Sequence, residues 1–247
     1  RVLLLTYVAS YAVRRADELR ADFKGFMRPV LVLGGAALLL LLEPDFGAAT
    51  VLLATGIAVL FLAGARITHL LVPIVVGVAG LAVLAVTSPY RLRRLVAFRD
   101  PWGDPFDSGF QLVQSLIAFG RGEWFGVGLG SSVQKLFYLP EAHTDFVFAV
   151  LAEEFGFLGV VVVLSLFALL VGRALTISRN AAHAGLQFQS YVAASIGIWL
   201  GLQAFVNIGV NTGLLPTKGL TLPLLSYGGS SMLVTLAWLG LLLRIHH

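Results

Sequence analysis

The sequence predicts an all-α fold, a polytopic transmembrane helix bundle with one long extracytoplasmic loop that carries short interfacial helices. Three observations lead there. Of 247 residues, 58% are hydrophobic and only 12% charged, and a mean hydropathy of +0.90 describes a chain that water alone does not hold in solution. Apolar runs recur at bilayer-spanning length, roughly 17 to 25 residues. The Lys and Arg residues fall between those runs, concentrated in alternate loops. A net charge of +4 raises the question of nucleic acid, but dispersal of the positive residues among apolar spans fits positive-inside topology better. Membrane lipids are the expected surroundings, and nucleic acid is not an expected partner. The absence of cysteine removes disulfides and thiolate metal sites from consideration.

The first apolar stretch, residues 2–13, ends in Arg14-Arg15, and the chain opens with Arg1 rather than Met. A signal peptide carries its basic flank ahead of the apolar run. This stretch therefore reads as the second half of a span cut at a fragment boundary. Six full spans follow at about 28–42, 46–64, 70–87, 146–172, 188–210 and 229–244. With part of a seventh, they make residues 1–247 a single transmembrane domain. If the basic segment 14–28 is cytoplasmic, alternation puts 65–69, 173–187 and 244–247 on the same side. Those segments hold Arg14, Arg15, Arg20, Lys24, Arg28, Arg66, Arg173, Arg179 and Arg244, against Lys218 alone in the short outer loops. Three unusual segments are thereby gathered outside: Glu43-Pro44-Asp45-Phe46-Gly47, the long loop 88–145, and the Gly/Pro-rich run 211–230.

The long loop has mixed, aromatic composition and is expected to contain ordered structure. Residues 90–99 carry Arg91, Arg93, Arg94 and Arg99, and Asp100-Pro101-Trp102-Gly103-Asp104-Pro105 reads as consecutive turns. From 108 to 119, apolar Phe110, Leu112, Val113, Leu116 and Ile117 alternate with Gln111, Gln114 and Ser115 at spacings that fit a short helix lying on the membrane. Gly126-Val127-Gly128-Leu129-Gly130 resembles a nucleotide-binding loop only superficially, because no strand and helix flank it. A flexible turn system is the expectation. The run 211–230 is too broken for a helix, and irregular backbone at membrane depth must be buried in protein or line a wet cavity; a re-entrant lining beside the long loop is expected.

The polar string Pro140-Glu141-Ala142-His143-Thr144-Asp145-Phe146 sits where this loop turns back into a strongly apolar segment. Ionisable groups at such an entrance are functional candidates by default. Asp145 has a second reading as a helix cap, where a carboxylate complements the dipole. Glu153 and Glu154 lie two turns into the following span, so at least one is expected to face the bundle interior or a partner. Glu43 and Asp45 flank Pro44 in a tight turn and read as structural.

These strings together resemble a known family. Leu139-Pro140-Glu141-Ala142-His143-Thr144-Asp145-Phe146, preceded by Ser132-Val133-Gln134-Lys135-Leu136, is similar to the SEDS (shape, elongation, division and sporulation) proteins. So are the Glu43 to Gly47 turn, Asp100-Pro101-Trp102, Gln114-Ser115-Leu116-Ile117-Ala118-Phe119-Gly120, Gly219-Leu220-Thr221-Leu222-Pro223 and Ser226-Tyr227-Gly228-Gly229-Ser230. The match runs end to end and in order. Gln134-Lys135-Leu136 and Pro140-Glu141-Ala142 favour the division-specific branch, with an elongation role as a close variant. The family has further N-terminal spans and a Gln-Pro-Ser-Glu motif, both incomplete here, so the groups they carry are expected to be missing.

The resemblance implies a peptidoglycan glycosyltransferase at the outer face of the bacterial inner membrane, acting at the division septum. Its substrates would be lipid II and a glycan on undecaprenyl diphosphate. Its partners would be a class B penicillin-binding protein and other divisome proteins. Asp145 matches the family's essential aspartate and is the expected catalytic base. Substrate-binding roles are assigned to Lys135 as the cation for the diphosphate, with a snorkelling lysine as the alternative, and to Arg94 and Lys218. His143 can relay a proton or orient Asp145, or simply occupy a tight turn; Glu141 can touch substrate or pair with Lys135. No resident cofactor is expected, and no cluster of side chains suggests a metal site. A loosely held Mg or Mn ion on the diphosphate is compatible with the reaction. Two other classes fit the same features, a lipid II flippase and a divisome scaffold.

Overall fold

The computed structural model describes residues 1–43, 45–87, 97–107, 109–217 and 219–246. Among them all regular structure is helical: α1 Val2–Arg14, α2 Ala16–Ala21, α3 Phe23–Leu42, α4 Phe46–Leu62, α5 Ile67–Thr87, α6 Phe110–Gly122, α7 Val147–His183, α8 Gln187–Asn211 and α9 Gly229–His246. A short 3-10 turn at Pro101–Gly103 and a π-helical turn at Gln134–Tyr138 lie in the long loop.

Each expected apolar run is a helix. Four of these, α3, α7, α8 and α9, are long and apolar enough to cross a membrane, and α1, α4 and residues 67–80 of α5 are shorter apolar helices. The chain is a multi-pass membrane protein. Two boundaries differ from expectation. Residues 173–183, expected in an inner loop, continue α7, because Arg173-Ala174-Leu175 and the following residues are adequate helix formers with no breaker before Gly185. The span expected at 146–172 is broken: Gly156 has φ 64 and ψ −163 inside α7, dividing it into residues 147–155 and 157–183.

Internal contacts divide the chain into two units, Arg1–Gly80 with Leu169–Leu202 and Leu233–His247, and Leu81–Ala168 with Gln203–Met232. In the first, Tyr11 Oη donates to Gly25 O (2.7 Å) and Arg20 Nε to Ala63 O (3.0 Å), tying α1 to α3 and α2 to the end of α4. Asp45 caps α4 by accepting from Ala48 N at 2.9 Å, which bears out its structural reading.

The second unit holds the outer-loop chemistry. One of its apolar clusters joins α6 to the loop and α7 through Ala118, Leu139, Ala142, Phe146, Ala149 and Val210, and another gathers Phe148, Phe167, Ala204 and Leu222. Helix α6 is amphipathic as expected, but its buried face of Leu112, Val113, Ser115 and Ala118 packs on protein, with Ser115 Oγ donating to Asn211 O at 2.7 Å.

The break in α7 explains the glycine run. Breaking a helix orphans carbonyls on one side and amides on the other, and residues 122–128 satisfy both sets. Val127 N and Gly128 N donate to Glu153 O and Glu154 O (3.0 and 3.1 Å), while Phe157 N and Leu158 N donate to Glu123 O and Trp124 O (2.8 and 3.2 Å). Two backbones approach this closely only where side chains are missing. A Cβ on Gly126, whose φ is +78, would lie 2.1 Å from Glu154 O, and one on Gly156 would lie 2.4 Å from Gly126 N. The turn system is present; Gly122 and Gly126 serve close backbone approach, while Gly128 and Gly130 supply positive φ, +100 and +80, where a Cβ would meet nothing closer than 3.8 Å.

Candidate functional site

The turn before α7 is built by backbone geometry that suits its polar residues. Glu141 takes φ 58, left-handed backbone that costs a non-glycine residue about 1–3 kcal/mol. It reverses the chain so that Thr144 N and Phe146 N both donate to Glu141 O at 3.1 and 3.2 Å. Thr144 Oγ1 closes the loop onto Glu141 Oε2 at 2.6 Å. Asp145 follows, partly buried, with Phe146 anchored in the core beneath it.

Helix α8 holds that turn through a ladder of amides. Gln203, Asn207 and Asn211 recur every four residues and therefore share one face; each is about 1% exposed or less. Asn207 Nδ2 donates to Asp145 O (2.8 Å) and to Leu220 O, Asn211 Nδ2 to Asp145 O (2.9 Å), and Gln203 Nε2 to Thr221 O (2.9 Å). Asn211 Oδ1 accepts from Ala149 N at 3.1 Å, so an amide of the first turn of α7 has a cap supplied from another helix. A strap over residues 219–227 closes the far side. Ser226 Oγ donates to Thr144 O (2.5 Å), and Tyr227 N donates to His143 O (2.8 Å). Gly219 leaves room for the Asp145 carboxylate, since a Cβ there would lie 3.1 Å from Asp145 Oδ2. Within the run 211–230, residues 212–217 and 219–228 are irregular backbone as expected, while Asn211 ends α8 and Gly229 and Ser230 begin α9.

Two clefts open beside this turn, and His143 and Tyr227 border both. One, of about 570 Å³, is walled by Lys135, Leu139, Pro140, Glu141 and Thr144. The other, of about 660 Å³, is walled by Val147, Leu225, Ser226 and Met232 among others. Asp145 follows Thr144 in the chain and is not among the residues that line either cleft.

Lys135 and Glu141 share the smaller cleft but not a bond. Lys135 Nζ pairs with Glu154 Oε1 at 2.6 Å, so of the two alternatives for Glu141 the pairing with Lys135 is not made; Glu141 is turned toward Thr144 by its left-handed backbone. Glu153 is fully buried and accepts from Ser132 Oγ (2.5 Å), Val133 N (3.2 Å) and Gln134 N (3.3 Å), with Arg121 Nη1 at 3.5 Å. Both acidic residues thus face protein, as an intramembrane carboxylate must. Arg94 and Lys218 lie outside the described residues. Among the described residues no group of three His, Asp or Glu side chains is placed to hold a metal ion.

The amide ladder, Glu153 and Arg121 were not among the expected site residues. The ladder had a visible signal, three amides at i, i+4 and i+8 in an otherwise apolar span. Arg121 had none, since an arginine at the end of an interfacial helix is ordinary.

The family model described as cell cycle protein, covering FtsW, RodA and SpoVE, matches residues 1–247. The chain is 61% identical over 246 residues to the probable peptidoglycan glycosyltransferase FtsW of Thioalkalivibrio sulfidiphilus, covering 100% of this chain and 62% of that protein. It is 57% identical over 245 residues to the protein of the same description from Nitrosococcus halophilus, covering 99% and 63%. The chain therefore spans less than two thirds of the length of these relatives. Among solved structures it resembles a chain of a peptidoglycan synthase complex studied for coordination of polymerization and crosslinking, with TM-score 0.72, 36% identity, and coverage of 98% of this chain and 68% of that one. It also resembles the rod shape determining protein RodA of Thermus thermophilus, with TM-score 0.63, 32% identity, and coverage of 98% and 64%.

Proposed function

The chain belongs to the FtsW/RodA/SpoVE cell cycle protein family, the SEDS family its motifs resemble, and from that premise we propose that it carries the acceptor-activating part of a peptidoglycan glycosyltransferase. The donor is a growing glycan on undecaprenyl diphosphate. The 4-hydroxyl of the incoming lipid II GlcNAc attacks the MurNAc anomeric carbon with inversion. The new C–O bond forms as the bond to diphosphate breaks, undecaprenyl diphosphate leaves, and the hydroxyl proton passes to Asp145. General-base assistance of this kind supplies about 10² to 10⁴ in rate.

The observation that carries the reading is the double anchorage of Asp145. Its carbonyl is held by Asn207 and Asn211, and its carboxylate rests against Gly219, so the base is oriented before substrate arrives. Lys135 lines the adjoining cleft. An ammonium has three donors, and the bond to Glu154 leaves others for a diphosphate oxygen. His143 and Glu141 stand at the same cleft as substrate contacts, and Arg94 and Lys218 complete the proposed binding set. A divalent ion, if used, enters with the diphosphate, since the described residues gather no ligand set for it. The reaction takes place on the periplasmic side of the inner membrane at the septum, beside a class B penicillin-binding protein and other divisome proteins.

Asp145→Asn, assayed for glycan polymer from lipid II with the transpeptidase partner present, is expected to abolish polymer while leaving the folded yield unchanged. Normal polymerisation by that variant sinks the assignment. Lipid II translocation into liposomes without polymer would indicate a flippase instead, and loss of complex assembly with turnover intact would indicate a scaffold.

A further inference from the structure

We infer that Glu153 is a positioning residue for Lys135, acting through the Ser132 to Lys135 turn; the inference rests on the proposed role of Lys135 at the diphosphate. A fully buried carboxylate is expensive unless donors surround it. Those around Glu153 come mainly from one short stretch of the loop. Val133 N and Gln134 N donate to it, and Ser132 Oγ donates to Oε2 at 2.5 Å while accepting from Lys135 N at 3.3 Å. Glu153 therefore does for the π-helical turn Gln134–Tyr138 what a capping side chain does for a helix, binding amides that the turn cannot satisfy itself.

The neighbouring residue completes the device. Glu154 takes the Lys135 ammonium at 2.6 Å, so two consecutive carboxylates hold the backbone and the side chain of the same loop segment. Both stand near the end of the short first piece of α7, residues 147–155, where Glu153 O and Glu154 O are fixed by Val127 N and Gly128 N. Lys135 is thereby set into the wall of the cleft it shares with Glu141, His143 and Thr144. Glu153 touches no part of that cleft and acts only by fixing the turn.

The test has two arms, both on the membrane-reconstituted protein with its transpeptidase partner. In the first, acylation of Lys135 by an amine-reactive probe is followed by peptide mass spectrometry, a readout independent of any enzymatic role. Glu153→Gln keeps the side-chain shape but replaces one acceptor oxygen with a donor, and is expected to speed Lys135 labelling about tenfold, the change that loss of one charge-assisted hydrogen bond produces. Unchanged labelling in a folded Glu153→Gln protein overturns the inference. Ser132→Ala, a smaller change at the same relay, is the second variant should Glu153→Gln not fold, and unchanged labelling there overturns it equally. In the second arm, KM for lipid II is expected to rise about tenfold in Glu153→Gln with kcat altered much less, and the effects of Glu153→Gln and Lys135→Ala are expected to be non-additive. Additive effects mean that Glu153 does not act through Lys135. Faster labelling with an unchanged KM in Lys135→Ala would leave the positioning geometry standing and remove Lys135 from substrate binding, so failure of the geometry and failure of the functional reading give different results.

Discussion

Gly219→Ala perturbs the proposed base by a distance that follows from the structure. The added methyl would sit 3.1 Å from Asp145 Oδ2, and ordinary contact begins near 3.4 Å, so the carboxylate must retreat by about 0.3 Å if the strap holds. A 1 Å misplacement of a catalytic group costs as much as about 10²-fold in rate, and scaling that loss logarithmically gives roughly fourfold for 0.3 Å, or about 0.8 kcal/mol of activation free energy. The assay is the single-turnover rate of glycan formation from lipid II. Gly120→Ala is the control. A Cβ there meets nothing within 4 Å and lies inside α6, so the rate is expected to hold while stability rises by about 0.5–1 kcal/mol. Gly219→Ala turning over at the parent rate, beside an inactive Asp145→Asn, would refute the idea that the strap sets the carboxylate.

Asn207→Leu removes the donor that binds both Asp145 O and Leu220 O. Asp145 O retains Asn211, so chiefly the Leu220 carbonyl loses its partner, and thermal unfolding in detergent is expected to show a loss of about 1–3 kcal/mol. Gly126→Ala places a Cβ 2.1 Å from Glu154 O at a φ of +78, combining left-handed strain of about 1–3 kcal/mol with overpacking of similar size; its folded yield should collapse. Gly130→Ala has φ +80 but open space around it, so it should bear the strain alone and remain foldable, and equal yields for the two variants would show that close backbone approach is not what requires Gly126.

Hydropathy made the spans legible because each helix had to be apolar for most of its length, and apart from the extension of α7 to His183 their ends moved by only a few residues. The fracture of α7 was not legible. Gly156 stands in an apolar run where an isolated glycine is tolerated in an intact helix, and only the loop that supplies Glu123 O, Trp124 O, Val127 N and Gly128 N makes the break affordable. That loop is some thirty residues upstream by sequence, beyond the reach of any periodicity. Asp145 stood out because it is a charge at an entrance. Asn207 and Asn211 carry no charge and do not stand out in the same way, although amides four apart in an apolar span are a cue of the same kind. Sequence proximity offers Glu141 as one possible partner for Lys135, but its positive φ sends its side chain to Thr144 and Lys135 pairs with Glu154.

The break also changes what the first part of α7 is. Residues 147–155 extend about 13 Å and residues 157–183 about 40 Å at 1.5 Å per residue, against a hydrocarbon core of about 30 Å. Only the second piece is long enough to cross. The first can stand as a short post whose upper end carries Asp145 and whose lower end carries Glu153 and Glu154, each end bonded to different partners. Above, the amides of α8 hold the turn; below, the 122–135 loop holds the two carboxylates. Had α7 been unbroken, Glu153 and Glu154 would lie within a continuous apolar span, where carboxylates are costly. Fractured, the helix presents them to loop amides and to Lys135, and the cation proposed for the diphosphate and the base proposed for the acceptor hydroxyl are both braced by the same nine-residue segment.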